Sequence, residues 1–334
     1  MNAVLGVGGF LPNCDQIHHK LEAERLRHYV AAIEELKSSL ATWTSNSAQE
    51  ALRLLLATSL LSLNECIRGN DSGSFFQHLQ ANHYFASIVF ESRWDPDDST
   101  FIGILLEQHA YWQLASCLRL VPSQTQIDTL RQSPLLQLDG LRQTKTFGVL
   151  FGSASSLYQL APSICQLAIN RELELTTGDD LGCFETMESL SEAVREWELE
   201  DTRINECVDG TESMVAGKVV QLTMLLFLYS AYHKDPVYLR SISTPLVDEG
   251  LAQITILKHT PWMNSLFWPL IVISTHASTV EHQATCMDVI PQGLILCDRV
   301  RECLRWLWDE PGTTFGLTGF ETVLKTHKVD FVFG

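Results

Sequence analysis

The stretch SAQEALRLLLATSLLSLNECIRGNDSGSFFQHLQANHYFASIVF, residues 47–90, decides the fold. Ser47-Ala48-Gln49-Glu50 has the form of a capping box ahead of an apolar run. A long helix should follow, through Leu54-Leu55-Leu56 to about Arg68. Gly69-Asn70-Asp71-Ser72-Gly73 then supplies residues that tolerate turn geometry. Phe75 to Phe90 reads as a second helix, which makes the pair an αα-hairpin.

Outward from this hairpin the dominant period stays helical. Upstream, Leu21, Ala23, Leu26, Tyr29, Val30 and Ile33 form an apolar face, with Arg25, Arg27, Glu34 and Lys37 on the other. Downstream, Trp94-Asp95-Pro96-Asp97-Asp98 reads as a loop. Ser99-Thr100 can cap a helix from Phe101 to Leu120. A turn-rich connection from Pro122 to Gly140 follows. Phe151 to Ile169 is expected as one helix kinked at Pro162. Further helices are expected over 186–200, 211–233, 248–257, 265–274, 279–290, 293–308 and 319–325, with Asp235-Pro236 as a break. No strand-like alternation persists, and no glycine-rich phosphate loop follows a strand. The fold class expected is all-α: stacked antiparallel helix pairs in one large domain, residues 1–334.

Composition narrows the function. The 334 residues are 46% hydrophobic, ample for a large core. Lys and Arg total 23 against 40 Asp and Glu, a net charge of -17. Nucleic-acid affinity comes mainly from cations that displace counterions, so no direct nucleic-acid contact is expected, nor docking on an anionic membrane. The segment 171–212 carries 14 of the acidic residues and 3 of the basic ones. It is expected as an acidic, partly flexible insert around a helix. The apolar runs Val219–Tyr232 and Ser265–Thr275 fall short of the roughly 20 residues of a membrane helix. Nine scattered cysteines, odd in number and without CxxC, fit reduced thiols in the cytoplasm or nucleus.

The segment Trp268-Pro269-Leu270-Ile271-Val272, followed by Ala277 and Glu281, resembles the signature of the fungal-specific transcription factor domain, the helical middle region of zinc-cluster regulators. Leu52 to Leu63 with His78-Leu79 resembles that family's early helix pair. Phe151-Gly152 through Leu167 resembles its central helices. Glu188 to Trp197, Leu225 to Tyr232, Trp306-Leu307-Trp308, Phe320 to Leu324 and Phe331-Val332-Phe333 agree with the rest. The resemblance implies a helical regulatory domain. The zinc cluster itself is expected to be missing, because Cys14 stands alone without basic neighbours. Two positions depart from the family pattern. Ser274-Thr275-His276 stands where Gly-Cys-Glu is favoured, and His282-Gln283 where Asp-Arg is favoured. In the family those charges would pair between helices.

No metal or nucleophile motif is present, so no cofactor and no metal are implied. Two functional readings follow. The preferred one is a cofactor-free cyclase or isomerase of the Diels-Alderase kind, acting on an apolar terpenoid or polyketide in fungal secondary metabolism. Such a reaction gains chiefly from holding a flexible substrate in its reactive shape. The catalytic candidates are His276 and Tyr111, as hydrogen-bond donors to a carbonyl, with His109, Trp112 and Trp268 lining the substrate pocket. The alternative is a transcriptional regulator or co-regulator that works through another protein's DNA reader. The partner in the first case is an apolar small molecule, and a homodimer is compatible with either.

Overall fold

Residues 47–91 fold as that hairpin. The structure, a computed structural model, describes residues 15–43, 47–67, 74–92, 96–117, 127–128, 131–133, 135–198, 210–309 and 314–329. Helix α1 is Asp15–Ala41, α2 Ala48–Ile67 and α3 Ser74–Glu91. The backbone N–H of Glu50 donates to Ser47 Oγ at 3.3 Å, so Ser47 satisfies a donor the helix leaves open. Between α2 and α3 the seam is partly polar. Asn82 Nδ2 donates to Ser62 Oγ at 3.2 Å, and the Thr58 hydroxyl donates to Asn82 Oδ1. All three residues are buried. The turn residues 69–73, together with Cys14, Trp94, Asp95, Pro122, Asp209 and the ending Phe331-Val332-Phe333, lie outside the described residues.

Helix α1 reverses one expectation. Arg25, assigned to the solvent face, is 1% exposed, while Leu26 and Val30 are 46% and 48% exposed. Arg25 Nη1 donates to Asn64 Oδ1 at 3.1 Å on α2. Arginine can bury an aliphatic stem where its guanidinium finds an acceptor, so the inward face runs through Arg25 and Ala32.

The chain divides into two compact units, one built on residues up to 96 with 292–299, the other on 97–291 with 300–329. The second unit begins with α4, Pro96–Cys117. This start corrects the expected loop: residues 96–98 belong to the first turn of the helix, because proline fits the first helical position. After a short 3₁₀ turn, Leu141–Gln143, come α5 (Ser155–Gln159) and α6 (Ala161–Thr177). These are two helices where one kinked helix was expected. Pro162 sits in the first turn of α6, where its missing N–H costs nothing. Then follow α7 (Cys183–Arg195), α8 (Gly210–Tyr232), α9 (Pro236–Leu257), a 3₁₀ turn (Pro261–Asn264), α10 (Phe267–Thr275), α11 (Val280–Val289), α12 (Ile295–Asp309) and α13 (Gly316–Thr326). Among the described residues there is no strand, and the fold is all-α.

Helix α8 organises this unit. It packs against α5, α6, α7, α9, α10 and α13. The apolar run starting at Val219 lies in a helix of 23 residues, long and apolar enough to cross a membrane. Its apolar window is 78% buried by these neighbours, the setting of a core helix. Gln221 interrupts the run for a reason. Its Nε2 donates to the carbonyls of Val194 at 2.8 Å and Arg195 at 3.2 Å, satisfying acceptors that the end of α7 leaves open. Within the acidic segment, α7 buries Met187, Ser191 and Val194 against its neighbours.

Candidate functional site

Two regions bear on function: the aromatic core around Trp268, and an open cleft between α7, α8 and α9.

All five residues singled out from sequence are buried: His109, Tyr111 and Trp112 on α4, with Trp268 and His276. Tyr111 and Trp268 are joined through Tyr158, with ring centroids 5.9 Å and 6.1 Å apart. Phe151 packs edge-on to Tyr158 at 5.3 Å, and Phe227 edge-on to Trp268 at 6.2 Å. The Tyr111 hydroxyl donates to the Ser265 carbonyl at 3.0 Å. Such tilted and edge-on contacts are how rings fill an interior.

His276 stands apart, two turns further along at the end of α10. Its Nδ1 lies 2.8 Å from the Val272 carbonyl. A carbonyl only accepts, so Nδ1 carries the hydrogen, and Nε2 accepts from the Ser230 hydroxyl at 2.8 Å. Phe315 meets the ring edge-on at 5.5 Å. Gly316 closes the remaining side: its φ is +64°, and a Cβ there would stand 2.8 Å from Nε2. Burial pushes the His276 pKa down to about 4, against the opposing pull of the Val272 hydrogen bond. At neutral pH the ring is uncharged, and both nitrogens are committed to protein groups.

The departures from the family pattern acquire structural reasons. His276 occupies an enclosed position where a carboxylate would need a partner cation. His282 Nε2 lies 2.6 Å from Asp248 Oδ1, joining α11 to α9.

Glu107, on α4, anchors a loop. Its Oε1 accepts the backbone N–H groups of Gly148 at 3.1 Å, Leu150 at 2.8 Å and Phe151 at 3.2 Å. Burial raises its pKa while these hydrogen bonds oppose the rise. Nothing in the sequence around residue 107 reveals this, because the donors are backbone groups some forty residues away.

The cleft has a volume of about 690 Å³. Phe184, Met187, Glu188 and Arg195 come from α7, Leu225, Tyr229 and Tyr232 from α8, His233 from the connection, and Tyr238, Ile242 and Leu246 from α9. Arg195 Nη2 donates to Tyr229 Oη at 2.6 Å, which fixes the guanidinium on the wall. His233 meets Tyr232 at 4.9 Å and Tyr238 at 4.8 Å, both edge-on. Burial, then the nearby Arg171, lowers the His233 pKa. The Arg171 guanidinium lies 4.5 Å over the Tyr232 ring and pairs with Glu174. Its wall mixes aromatic and aliphatic side chains with the polar groups of Glu188, Arg195, His233 and the tyrosines. None of the five sequence candidates lines it, and none lines the narrower crevice between Gly152, Tyr158, Trp262 and Leu266. The signal in the sequence was the aromatic cluster Tyr229, Tyr232, His233 and Tyr238, straddling the Asp235-Pro236 break.

No curated protein and no solved structure matches the chain. The family model for the fungal specific transcription factor domain matches residues 1–302, far more than half of the sequence. With the helical order and the Trp268-Pro269 segment already in place, this match identifies the protein: it belongs to the fungal specific transcription factor domain family.

Proposed function

We propose that this chain is the regulatory domain of a transcriptional regulator, and that the α7–α8–α9 cleft is where a small molecule sets its state. The observation that carries the reading is the family match over residues 1–302. The cleft supports it by offering an open, partly polar cavity between α7, α8 and α9. With a net charge of -17, the chain would act on DNA through a separate reader rather than by its own surface. Such a domain works in the nucleus or the cytoplasm. The cyclase reading, preferred from sequence, finds no observation in its favour: His276 and Tyr111 give their hydrogen bonds to protein groups.

The test joins the full chain to a heterologous DNA-binding domain at a reporter promoter in a fungal host. Reporter output should change on recruitment, and Ile242→Trp, which fills the cleft, should alter that output without lowering the amount of protein. A reporter indifferent to both the chain and the substitution refutes the proposal.

A further inference from the structure

The cleft's own chemistry restricts what it can hold. Its exposed rings are Phe184 and Tyr238, 56% and 50% exposed. Aromatic surface left open at the mouth of a cavity offers stacking area to a ring-bearing guest. A cationic guest would meet the Arg195 guanidinium on the wall, and the face of Tyr232 is already taken by Arg171, held by Glu174. An anionic guest would meet Glu188 on the wall, with Glu185 and Glu192 elsewhere on the same helix. The other cation nearby, Lys234, is already paired with Glu172 at 2.8 Å. Arg195 and Glu188 both line the cleft, so its wall carries one charge of each sign.

One directed polar group remains. A guanidinium carries five N–H donors in a rigid fork, and Tyr229 Oη accepts one of those of Arg195. The bond holds the fork in place on the wall, where its other donors suit a carbonyl or ether oxygen. We propose that the cleft takes an uncharged, apolar, ring-bearing molecule with a hydrogen-bond acceptor that docks on Arg195. This rests on the ligand-responsive reading above and adds the chemical class of the ligand.

The test is calorimetric titration of the purified full chain with three flat aromatic probes of similar size. Flavone is neutral with a ketone acceptor, anthracene-9-carboxylate is an anion, and 9-aminoacridine is a cation. Flavone should bind at one site with a Kd of about 10–200 µM, the range expected for a ligand of that size. The two charged probes should bind at least about tenfold more weakly. Arg195→Met should weaken flavone roughly tenfold, the effect of losing a hydrogen bond to a charged donor. Should Arg195→Met fail to fold, Arg195→Lys serves, keeping the charge but losing the fork, with a loss of several-fold expected. Tighter binding by either charged probe overturns the ligand class while leaving a ligand-responsive cleft standing. Equal flavone affinity in the Arg195 variants, or no binding of flavone, also overturns it. The reporter experiment judges the transcriptional reading separately, because recruitment is measured there without any probe.

Discussion

Acidification should destabilise this fold through His276 in a calculable way. The ring is neutral inside the fold, with a pKa of about 4, against about 6.5 for the same side chain in the unfolded chain. Below about pH 6.5 the unfolded chain therefore binds a proton that the folded chain refuses. Stability from this group is fully present above about pH 6.5 and is lost as pH falls, until the folded ring itself titrates near 4. At about 1.4 kcal/mol per pH unit, the loss across that interval is about 3 kcal/mol. The assay is urea denaturation followed by far-ultraviolet circular dichroism between about pH 7 and about pH 4.5, on the wild type and His276→Gln. At neutral pH the variant should be less stable by about 1–3 kcal/mol, because the Ser230 hydroxyl and Val272 carbonyl lose well-placed partners. As pH falls below about 6.5, the gap should close by about 1.4 kcal/mol per unit, since only the wild type has a histidine here that the unfolded chain protonates and the folded chain does not. His78, His83 and His233, whose pKa values are also lowered by burial, titrate in both proteins and cancel in the difference. Glu107 cancels in the same way. Parallel curves for the two proteins would refute the reasoning.

Three further substitutions probe the architecture by the same denaturation assay. Glu107→Ala removes the acceptor of three backbone N–H groups and should cost about 2–4 kcal/mol, whereas Glu107→Gln keeps an acceptor oxygen and should cost less than half of that. Gly316→Ala places a Cβ 2.8 Å from His276 Nε2 at a residue with φ +64°, so a loss of about 2 kcal/mol or more is expected; a neutral result would contradict the closed packing around that ring. Asn82→Ala opens the polar seam of the α2–α3 hairpin and leaves Thr58 and Ser62 without their shared partner, for about 1–3 kcal/mol; unchanged stability would mean that the seam carries no weight.

The features legible in the sequence were those fixed by local chemistry. The hairpin of residues 47–91 follows from helical periodicity, a capping serine and a turn, all within a few residues of where they act. The Asp235-Pro236 break falls where expected, with Asp235 Oδ1 accepting from the Val237 N–H at 2.9 Å to cap α9. What stayed hidden depends on partners distant in the chain. Arg25 looks like a solvent residue until Asn64 is beside it. Gln221 looks like an interruption until the end of α7 needs its amide. Tyr111 and Trp268, expected at a pocket, are linked through the Tyr158 ring, which no local pattern announces. The cleft was hardest to see. It exists only where three helices spanning residues 184–246 leave a gap, and no single segment carries its pattern.

Helix α8 links the two regions, and this bears on the choice between chemistry and regulation. Tyr229 and Tyr232 line the cleft, Ser230 holds His276, and Gln221 ties down the end of α7, all on one helix. Catalysis by proton donation needs a side chain whose hydrogen bond is available to a guest. The buried histidine instead ties the end of α10 to Ser230 on α8, and the core tyrosine ties α4 to Ser265, just after the 3₁₀ turn. A regulatory domain needs an opening in which binding energy can bias the position of an element that also packs elsewhere. Helix α8 is such an element: one end of it borders an open cavity, and its length contacts six other helices. A guest that prefers one placement of Tyr229 and Tyr232 acts on the same helical turn that carries the Ser230–His276 bond. On the proposed regulatory reading, the cleft would be the input and the packed core the stiff body that carries the change.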